Sequence, residues 1–448
     1  MIFAVPFVLA LLVGAIGITR QAWRDEHATW WAATIPWHEF ASQMSHVDIV
    51  LAPYYLFMRA WIFVAGDSVV AMRVPSLLAM AIAAGLTGVL GARLFEPWVG
   101  LTAGALFAVI PSVSRYAEEA RPYAFAICFA VATLLALLSR RWVLLAVFTT
   151  LTGLSHLIAL LVLLAHLPLL RRPTPSASSA DDPHPHTSQS GADIETHGDV
   201  DHGAVRAWAM AVGVGLLPVL PLAFVGAGQA GQVSWISSSW KSLVTLPLSL
   251  TRSAATAGIL AALALLGLLA SRLDRRVVAL IVWAAAPPLV VFAVTPQFFH
   301  HRYLLFTLPA WAMLAALSVR LLSGSRQKVA AAAMCTAILL LGGRDHLALR
   351  KSPGIGDQDY QAAAAYLSSH MSAGDEVLFD GYPDQRERFG FAYELRDRPT
   401  PRLCPNLSTC AKRVWLVSNR APTTPPGFTV LDAQNFPGIE LRLLTPAS

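Results

Sequence analysis

The chain has 448 residues, of which 55% are hydrophobic and only 13% are charged, and its mean hydropathy is +0.55. Soluble domains carry about 25% charged residues, so this composition excludes an ordinary soluble enzyme and indicates a membrane protein. The net charge of +6 and the pI near 9.3 come from basic residues scattered among turns, which argues against nucleic acid and favours anionic lipid as a partner.

Long apolar runs recur from residue 2 to about residue 343. A bilayer core of about 30 Å needs roughly 20 apolar residues per helix, so hydropathy predicts about eleven crossings. The first run lacks a basic n-region and a cleavage site, and we expect it to be retained. The predicted spans are residues 2–19, 72–92, 97–113, 120–138, a broken pair within 142–170, 206–226, 253–271, 277–294, 303–320 and 328–343.

The turns between the predicted spans differ in charge. One set carries arginine and few acids, which predicts a cytoplasmic position for that side of the membrane. The turns of the other side mix Arg with Asp, Glu, His and Tyr, which is typical of a site on the outer face. Within the cytoplasmic set, residues 173–204 are rich in Pro, Ser, Asp and His and predict a disordered loop. A metal role for its histidines, His184, His186, His197 and His202, is the less favoured interpretation, because no known ligand spacing appears.

The first outer loop, residues 20–71, begins with two adjacent carboxylates, Asp25 and Glu26. Such a pair directly after a span is costly unless it is solvated or paired, and a carboxylate in a partly dry cleft is a natural general base. A solvated span end is the alternative interpretation. The same loop carries further polar and aromatic side chains: His46, Asp48, Tyr54 and Tyr55.

The second outer turn, residues 114–123, places Glu119, Arg121 and Tyr123 between two apolar runs. A helix that begins near Ala120 would point its N-terminal dipole, together with Arg121, at an anion such as a phosphate. An ion pair within the turn is the other interpretation, and the two are compatible.

A third outer turn contains His301, Arg302 and Tyr303, and arginine forks match phosphate oxygens. The outer loop 231–236 contains Trp235, which either covers a sugar or serves as an ordinary interfacial anchor.

The tail from about residue 344 is less apolar and predicts a small α/β domain. Residues 360–370 have helical character, and residues 376–380, 413–417 and 439–444 resemble buried strands. The odd number of spans and a cytoplasmic N-terminus place this domain outside the cytoplasm. Whether Cys404 and Cys410 form a disulfide there is left open by the sequence.

These residues together resemble the GT-C membrane glycosyltransferases that are similar to protein O-mannosyltransferases, in particular the actinobacterial mannosyltransferases. The resemblance covers roughly residues 20–345. It is carried by a series of short motifs in this order: Asp25-Glu26, Tyr54-Tyr55-Leu56, Arg73-Val-Pro-Ser76, Tyr116-x-x-Glu119-x-Arg121-x-Tyr123, His156, and Arg302-Tyr303 with Pro309. Many relatives carry His-Pro-Pro before the Leu-Tyr-Tyr stretch, where this chain has His46-Val-Asp48, so the acceptor is left open.

Together with the apolar pattern, the resemblance predicts a GT-C transmembrane domain over residues 1–343, followed by the extracytoplasmic domain over residues 344–448. The resemblance further implies a polyprenyl-phosphate sugar donor and transfer of mannose or arabinose, with inversion, to a cell-envelope polymer, protein or glycolipid. The expected location is the plasma membrane, with the site on the extracytoplasmic face. Asp25 is then the expected base, Arg121 and Arg302 hold the donor phosphate, and Glu26 orients Arg121 or the sugar. We expect no metal cofactor, although Asp25, His46 and Asp48 are where one would bind.

Two other functions remain as alternatives. A transporter or flippase would also have many spans, but transporters place ionisable residues near the bilayer midplane and show repeated halves. Here the charged clusters lie at span ends and no repeat is visible. A non-catalytic scaffold would not require Asp25, Arg121 or Arg302.

Overall fold

The structure is a computed structural model, and it describes residues 1–171, 201–354, 357–380, 386–398, 401–410, 413–419 and 424–447. Most of the predicted disordered loop at 173–204, including His184, His186 and His197, lies outside these residues. Its last part is helical, because the Asp201 side chain accepts a hydrogen bond from Ala204 N and caps the helix that begins at His202.

Helices form most of the described chain. In chain order they are α1 (Ala4–Ala15), α2 (Arg24–Thr34), α3 (Trp37–His46), α4 (Ala52–Ala65), α5 (Val69–Leu94), α6 (Pro97–Ala108), α7 (Pro111–Ala117), α8 (Tyr123–Leu138), α9 (Trp142–Ser155), α10 (His166–Leu169), α11 (His202–Leu216), α12 (Leu220–Gly228), α13 (Trp240–Val244), α14 (Leu246–Thr251), α15 (Ala254–Leu269), α16 (Arg275–Val294), α17 (Leu308–Ala316), α18 (Ser325–Leu341), α19 (Gly343–Ala348), α20 (Tyr360–His370) and α21 (Arg386–Glu394). Tighter 3₁₀ segments cover Ile49–Leu51, Leu157–Ala165, Ala230–Val233, Pro296–Phe298, His301–Thr307 and Leu317–Leu321.

Three helical segments among the described residues are long and apolar enough to cross a membrane: Val69–Leu94, Arg275–Val294 and His301–Leu321. The number rises to five if each of two bent pairs, α6 with α7 and α11 with α12, is counted as one span. Further apolar helices of 10–17 residues occur at most of the other predicted spans. The prediction of a helical membrane protein is therefore confirmed, whereas the number of eleven crossings stays a prediction.

Helix α5 lies at the centre of the packing, against α1, α6 and α8. Its close approach to α6 depends on glycine: a Cβ on Gly100 would lie 2.3 Å from the backbone oxygen of Gly88. Small residues that let helix backbones approach in this way are typical of packing within membranes.

The predicted break near His156 is confirmed. Helix α9 ends at Ser155, His156 is extended with φ −163° and ψ 114°, and a 3₁₀ segment continues from Leu157. The break turns the His156 ring towards Tyr303, with ring centroids 5.0 Å apart.

The C-terminal domain is a small α/β domain, as predicted, and its sheet has five strands where the sequence predicted three. Its strands are β1 (Glu376–Phe379), β2 (Arg402–Leu403), β3 (Val414–Ser418), β4 (Phe428–Phe436) and β5 (Ile439–Pro446), in the order β2-β1-β3-β5-β4. Strands β1 and β3 pair in parallel, with Glu376 opposite Val414, whereas β5 pairs antiparallel with both β3 and β4. Cys404 and Cys410 form a disulfide beside β2.

The domain packs on α2 through aromatic side chains. Tyr360 of α20 lies edge-on to His27 with ring centroids 4.8 Å apart, and Tyr393 of α21 lies edge-on to Trp30 at 5.2 Å. The Tyr393 hydroxyl also donates a hydrogen bond to Asp67 O over 3.1 Å. The helix that carries Asp25 is thus held between the membrane-embedded helices and the C-terminal domain.

Candidate active site

The first and third predicted outer turns meet in a direct ion pair. Asp25 lies in the first turn of α2, and Arg302 lies in the 3₁₀ segment that precedes α17. Arg302 Nη1 donates a hydrogen bond to Asp25 Oδ2 over 2.8 Å, and the two side chains are 23% (Asp25) and 17% (Arg302) exposed. Residual exposure of both partners leaves room for a substrate to reach them.

The second predicted turn adds Arg121 to the same place. Its side chain is buried, and its Nη1 lies 3.5 Å from the backbone oxygen of Asp25 and 3.4 Å from Thr29 Oγ1. Helix α8 begins at Tyr123 and not near Ala120 as predicted, so Arg121 lies in the turn before the helix.

The positive charges around Asp25 govern its protonation. Burial by itself would raise the pKa of the Asp25 carboxyl, but the nearby Arg121, Arg302 and Arg24 outweigh it and hold that pKa below its ordinary value. Asp25 is therefore a carboxylate at neutral pH, as a base must be before it accepts a proton.

A cavity of about 790 Å³ opens beside the pair. Such a volume is within the range of small-molecule sites. Seven of the predicted site residues line it: Asp25, Asp48, Arg121, Tyr123, Trp235, Arg302 and Tyr303. The fold thus brings together predicted site residues from four separate parts of the chain.

Glu26 faces away from this cavity and makes a buried ion pair. Its two carboxylate oxygens accept hydrogen bonds from Arg73 Nε at 2.8 Å and Arg73 Nη2 at 2.6 Å, and both side chains are at most 1% exposed. Glu26 also accepts a hydrogen bond from Ala120 N over 2.9 Å. It ties α2 to the turn that carries Arg121, so the structure places it as a support for both Asp25 and Arg121.

Although burial opposes ionisation of Glu26, Arg73 dominates and lowers the pKa of this carboxyl to about 2. Arg73 is held in turn by the backbone oxygens of Ile18, Arg20 and Gln21. The motif Arg73-Val-Pro-Ser76 is thereby connected to the first outer loop.

The acids of the second turn are paired within the protein. Glu119 Oε1 lies 2.5 Å from Arg115 Nη1, and Glu118 Oε1 lies 3.3 Å from Arg350 Nη2. Burial raises the pKa of both carboxyls, against the opposing effect of these arginines. Ion pairing of Glu119 with Arg115 within the turn therefore coexists with the position of Arg121 in the lining of the cavity, and the two interpretations are compatible, as predicted.

The remaining predicted residues of the first loop lie near the cavity or behind it. Tyr55 is fully buried and donates a hydrogen bond from its hydroxyl to Asp48 Oδ2 over 3.2 Å. Tyr54 is buried as well, against Phe125. His46 is exposed, and its Nδ1 lies 2.7 Å from Ser42 O. Within the described part of the chain, Asp25, His46 and Asp48 do not gather as a set of metal ligands.

Trp235 and His301 line a smaller cavity next to the first. Trp235 is 55% exposed, and the Arg302 guanidinium lies 5.9 Å from its ring centroid. His301 does not line the larger cavity; its Nε2 lies 3.3 Å from the Tyr116 hydroxyl. The smaller cavity has a volume of about 290 Å³.

Sequence reasoning missed the other wall of the large cavity. That wall comprises residues from α2, α3 and α21: Arg24, Trp31, His38, Glu39, Ser42, Gln43, Arg388 and Phe389. In α3 the polar residues repeat at a spacing of four, which was a usable signal for one polar helix face. No such signal marked α21, because its place beside α2 depends on the docking of a separate domain.

Comparison with known proteins shows the fold. No protein-family model matches the chain, and no curated protein matches its sequence. The structure resembles the crystal structure of ArnT from Cupriavidus metallidurans in the apo state, with a TM-score of 0.61 and 13% identity over 98% of this chain and 97% of that one. The same protein bound to undecaprenyl phosphate gives a TM-score of 0.61 and 13% identity over 99% and 98% of the two chains.

The oligosaccharyltransferase of Archaeoglobus fulgidus in the apo form matches with a TM-score of 0.55 and 10% identity, over 91% of this chain and 65% of that one. These likenesses confirm the predicted GT-C fold with a small C-terminal sheet domain.

Proposed function

We propose that this chain is a membrane glycosyltransferase that moves a sugar from a polyprenyl-phosphate carrier to a cell-envelope acceptor, with inversion at the anomeric carbon. Mannose is the leading sugar and arabinose the second. The observation that carries the proposal is the Asp25–Arg302 pair, joined by Arg121, at the wall of a cavity of about 790 Å³.

In the proposed reaction, Asp25 takes the proton from the acceptor hydroxyl. The acceptor oxygen then forms a bond to the anomeric carbon of the donor sugar while the bond from that carbon to the phosphate oxygen breaks. The electron pair of the broken bond stays on the phosphate, and polyprenyl phosphate leaves. A single displacement of this kind inverts the anomeric centre.

Arg302 and Arg121 are suited to the phosphate of the donor. Guanidinium groups match phosphate oxygens in geometry, and fixed cations stabilise the negative charge that develops as the carrier leaves. Polyprenyl phosphate is already a good leaving group, so the proposal requires no general acid. The undecaprenyl phosphate bound to ArnT in one of the similar structures supports a lipid phosphate as the donor carrier.

The proposal places the acceptor outside the cytoplasm, because the arginine-rich turns predict that the cavity faces the opposite side. Residues 344–448 would then form an extracytoplasmic domain above the site.

The test measures transfer of radiolabelled sugar in membranes that contain the full chain. The donors are polyprenyl-phosphate mannose and polyprenyl-phosphate arabinose, and the variants are Asp25→Asn and the control Asp397→Asn, whose side chain is 86% exposed. We expect the control to keep its rate and Asp25→Asn to lose on the order of 10²-fold or more, the effect of removing a general base.

If correctly inserted wild-type protein transfers neither sugar to extracts of the cell envelope, the glycosyltransferase proposal fails. Movement of an intact lipid-linked sugar across the bilayer, unaffected by Asp25→Asn, would favour the transporter.

A further inference from the structure

We propose that the acceptor is a carbohydrate chain, bound between α3 of the first loop and α21 of the C-terminal domain. This inference rests on the proposed function and names the substrate class of the same cavity. It concerns the wall of the cavity made by Trp31, His38, Glu39, Ser42, Gln43, Arg388 and Phe389, which we call the acceptor wall.

The aromatic part of the acceptor wall comes from two domains. Phe389 of α21 stacks on Trp31 of α2, with ring centroids 4.9 Å apart and an angle of 26° between the rings. The Arg388 guanidinium lies 5.1 Å from the Trp31 ring centroid. Sugar rings present one or two faces of C–H groups, and aromatic side chains offer the flat, electron-rich surface that such faces contact.

The position of α21 is built into the fold. Arg396, just after the helix, lies 3.2 Å from Asp67 Oδ2, and the same oxygen accepts a hydrogen bond from Trp30 Nε1 over 2.9 Å. Tyr393 is 2% exposed and donates a hydrogen bond to Asp67 O. Asp67 therefore links α2, through Trp30, to Tyr393 of α21 and to Arg396 just after it, and Arg388 and Phe389 are presented to the cavity by an anchored helix.

The polar part of the acceptor wall comes from α3. His38 and Ser42 are one helical turn apart, as are Glu39 and Gln43, so all four lie on one side of the helix. A carboxylate can accept hydrogen bonds from two neighbouring hydroxyls at once, and an amide can accept from one hydroxyl and donate to another. A carbohydrate has such pairs of hydroxyls, whereas a peptide in extended form would offer mainly backbone amides.

No residue of the acceptor wall has a role in the proposed reaction. The base and the two phosphate-binding arginines of the proposed mechanism come from the starts of α2 and α17 and from the turn before α8. The acceptor wall holds no member of that set, so it is available for the second substrate. Aromatic and hydrogen-bonding side chains in the lining of one cavity fit a sugar, which presents both C–H groups and hydroxyls.

The experiment measures binding first and transfer second, on purified full-length protein. Binding of oligosaccharides of mannose and of arabinose is followed by isothermal titration calorimetry without any donor. A Ser/Thr-containing peptide serves as the competing acceptor class. The variants are Arg388→Gln and Gln43→Ala, one from each side of the wall, and the matched control is Arg402→Gln, an exposed arginine in β2 of the same domain.

We expect one oligosaccharide class to bind, with about tenfold weaker binding for each wall variant, the effect of losing a hydrogen bond worth about 1.4 kcal/mol. The control should bind as the wild type does. In the transfer assay the wall variants should raise the acceptor KM while the donor KM stays unchanged.

The proposal is overturned if no oligosaccharide binds, if the peptide binds and accepts sugar instead, or if the wall variants bind like the control. Binding is measured without a donor, so the two proposals can fail separately. Oligosaccharide binding without donor turnover would contradict the glycosyltransferase proposal and support the carbohydrate site. Donor turnover without oligosaccharide binding would support the glycosyltransferase and contradict the carbohydrate site.

Discussion

Arg302 and Asp25 are separated by 277 residues in the chain and are joined by a hydrogen bond of 2.8 Å from Nη1 to Oδ2. The two guanidinium groups proposed to hold the donor phosphate, those of Arg121 and Arg302, are therefore also the main groups that lower the pKa of the proposed base. A phosphate bound to Arg302 would share its positive charge, and the pKa of Asp25 would rise towards that of a more effective base. In the proposed reaction, binding of the donor and activation of the acceptor hydroxyl would therefore be coupled.

The first prediction concerns the pH dependence of this coupling. Because the pKa of Asp25 is depressed in the folded protein, the base is ionised above that pKa, and activity should fall only as the pH drops through a value below the ordinary 3.8. Arg302→Gln removes one of the charges responsible, so the acidic limb of kcat/KM should move to higher pH. The measurement is the pH profile of kcat/KM, which reports the free enzyme.

Arg320→Gln is the matched control for Arg302→Gln. Arg320 lies in the same helical segment, His301–Leu321, but pairs with Glu96 at 3.6 Å, and both partners are 40% exposed. The acidic limb of kcat/KM for Arg320→Gln should coincide with that of the wild type. An acidic limb that does not move in Arg302→Gln would mean that a group other than Asp25 sets it.

The second prediction concerns stability. Glu26→Gln breaks a fully buried ion pair with Arg73, and removal of one partner of such a pair costs about 3–5 kcal/mol because the other charge stays buried. The pKa of Glu26 is lowered to about 2, so its contribution is complete above the ordinary pKa and is lost as the pH falls towards 2. The thermal midpoint of the purified protein at neutral pH should therefore fall sharply.

Glu96→Gln is the comparison for Glu26→Gln, since its exposed pair with Arg320 should contribute at most about 1 kcal/mol. We also expect Glu26→Gln to impair transfer, because Glu26 holds Ala120 next to Arg121. Equal thermal midpoints for the two variants would contradict a structural role for the Glu26–Arg73 pair.

Much of this site could be predicted from local sequence, and the reasons for the misses are physical. Polar clusters at the ends of apolar runs stand out because charges in a membrane are costly, and Asp25, Arg121 and Arg302 were found in this way. The role of Glu26 was harder to read, since its pairing with Arg73 joins residues 47 positions apart. Nothing local distinguishes a carboxylate that faces a cavity from the next one, which faces a helix.

The C-terminal domain shows the same limit. Helix α20 has the bounds that its pattern predicted, and strands β1, β3 and β5 were predicted because they are apolar and buried. Strand β4 was missed: it lies at the edge of the sheet, and its side chains alternate between partly buried and exposed. An edge strand carries a weak apolar signal because only one neighbour and one face cover it.

The third prediction concerns the disulfide between Cys404 and Cys410. Its sequence separation of 6 closes a short loop, for which the chain-entropy model gives about 2 kcal/mol. The double variant Cys404→Ser with Cys410→Ser should therefore make β2 and its loop exchange amide hydrogens faster, whereas Cys335→Ser should not. When the protein is denatured without reduction, alkylation should label Cys128 and Cys335 alone. Labelling of all four cysteines would contradict the disulfide and an oxidising location of the domain.

The last prediction separates the donor role of Arg121 from a purely structural one. Arg121→Lys keeps a positive charge but loses the planar fork that matches phosphate, and lysine is a poor replacement at such sites. If Arg121 holds the donor phosphate, this variant should raise the KM for the polyprenyl-phosphate sugar about tenfold, the loss of one charge-assisted contact, and leave the acceptor KM as it is. Arg115→Lys, in the same turn but paired with Glu119, should leave the donor KM unchanged. A structural role would lower kcat and thermal stability in both variants without a selective change in donor KM, because both arginines would then act only by packing the turn against α2.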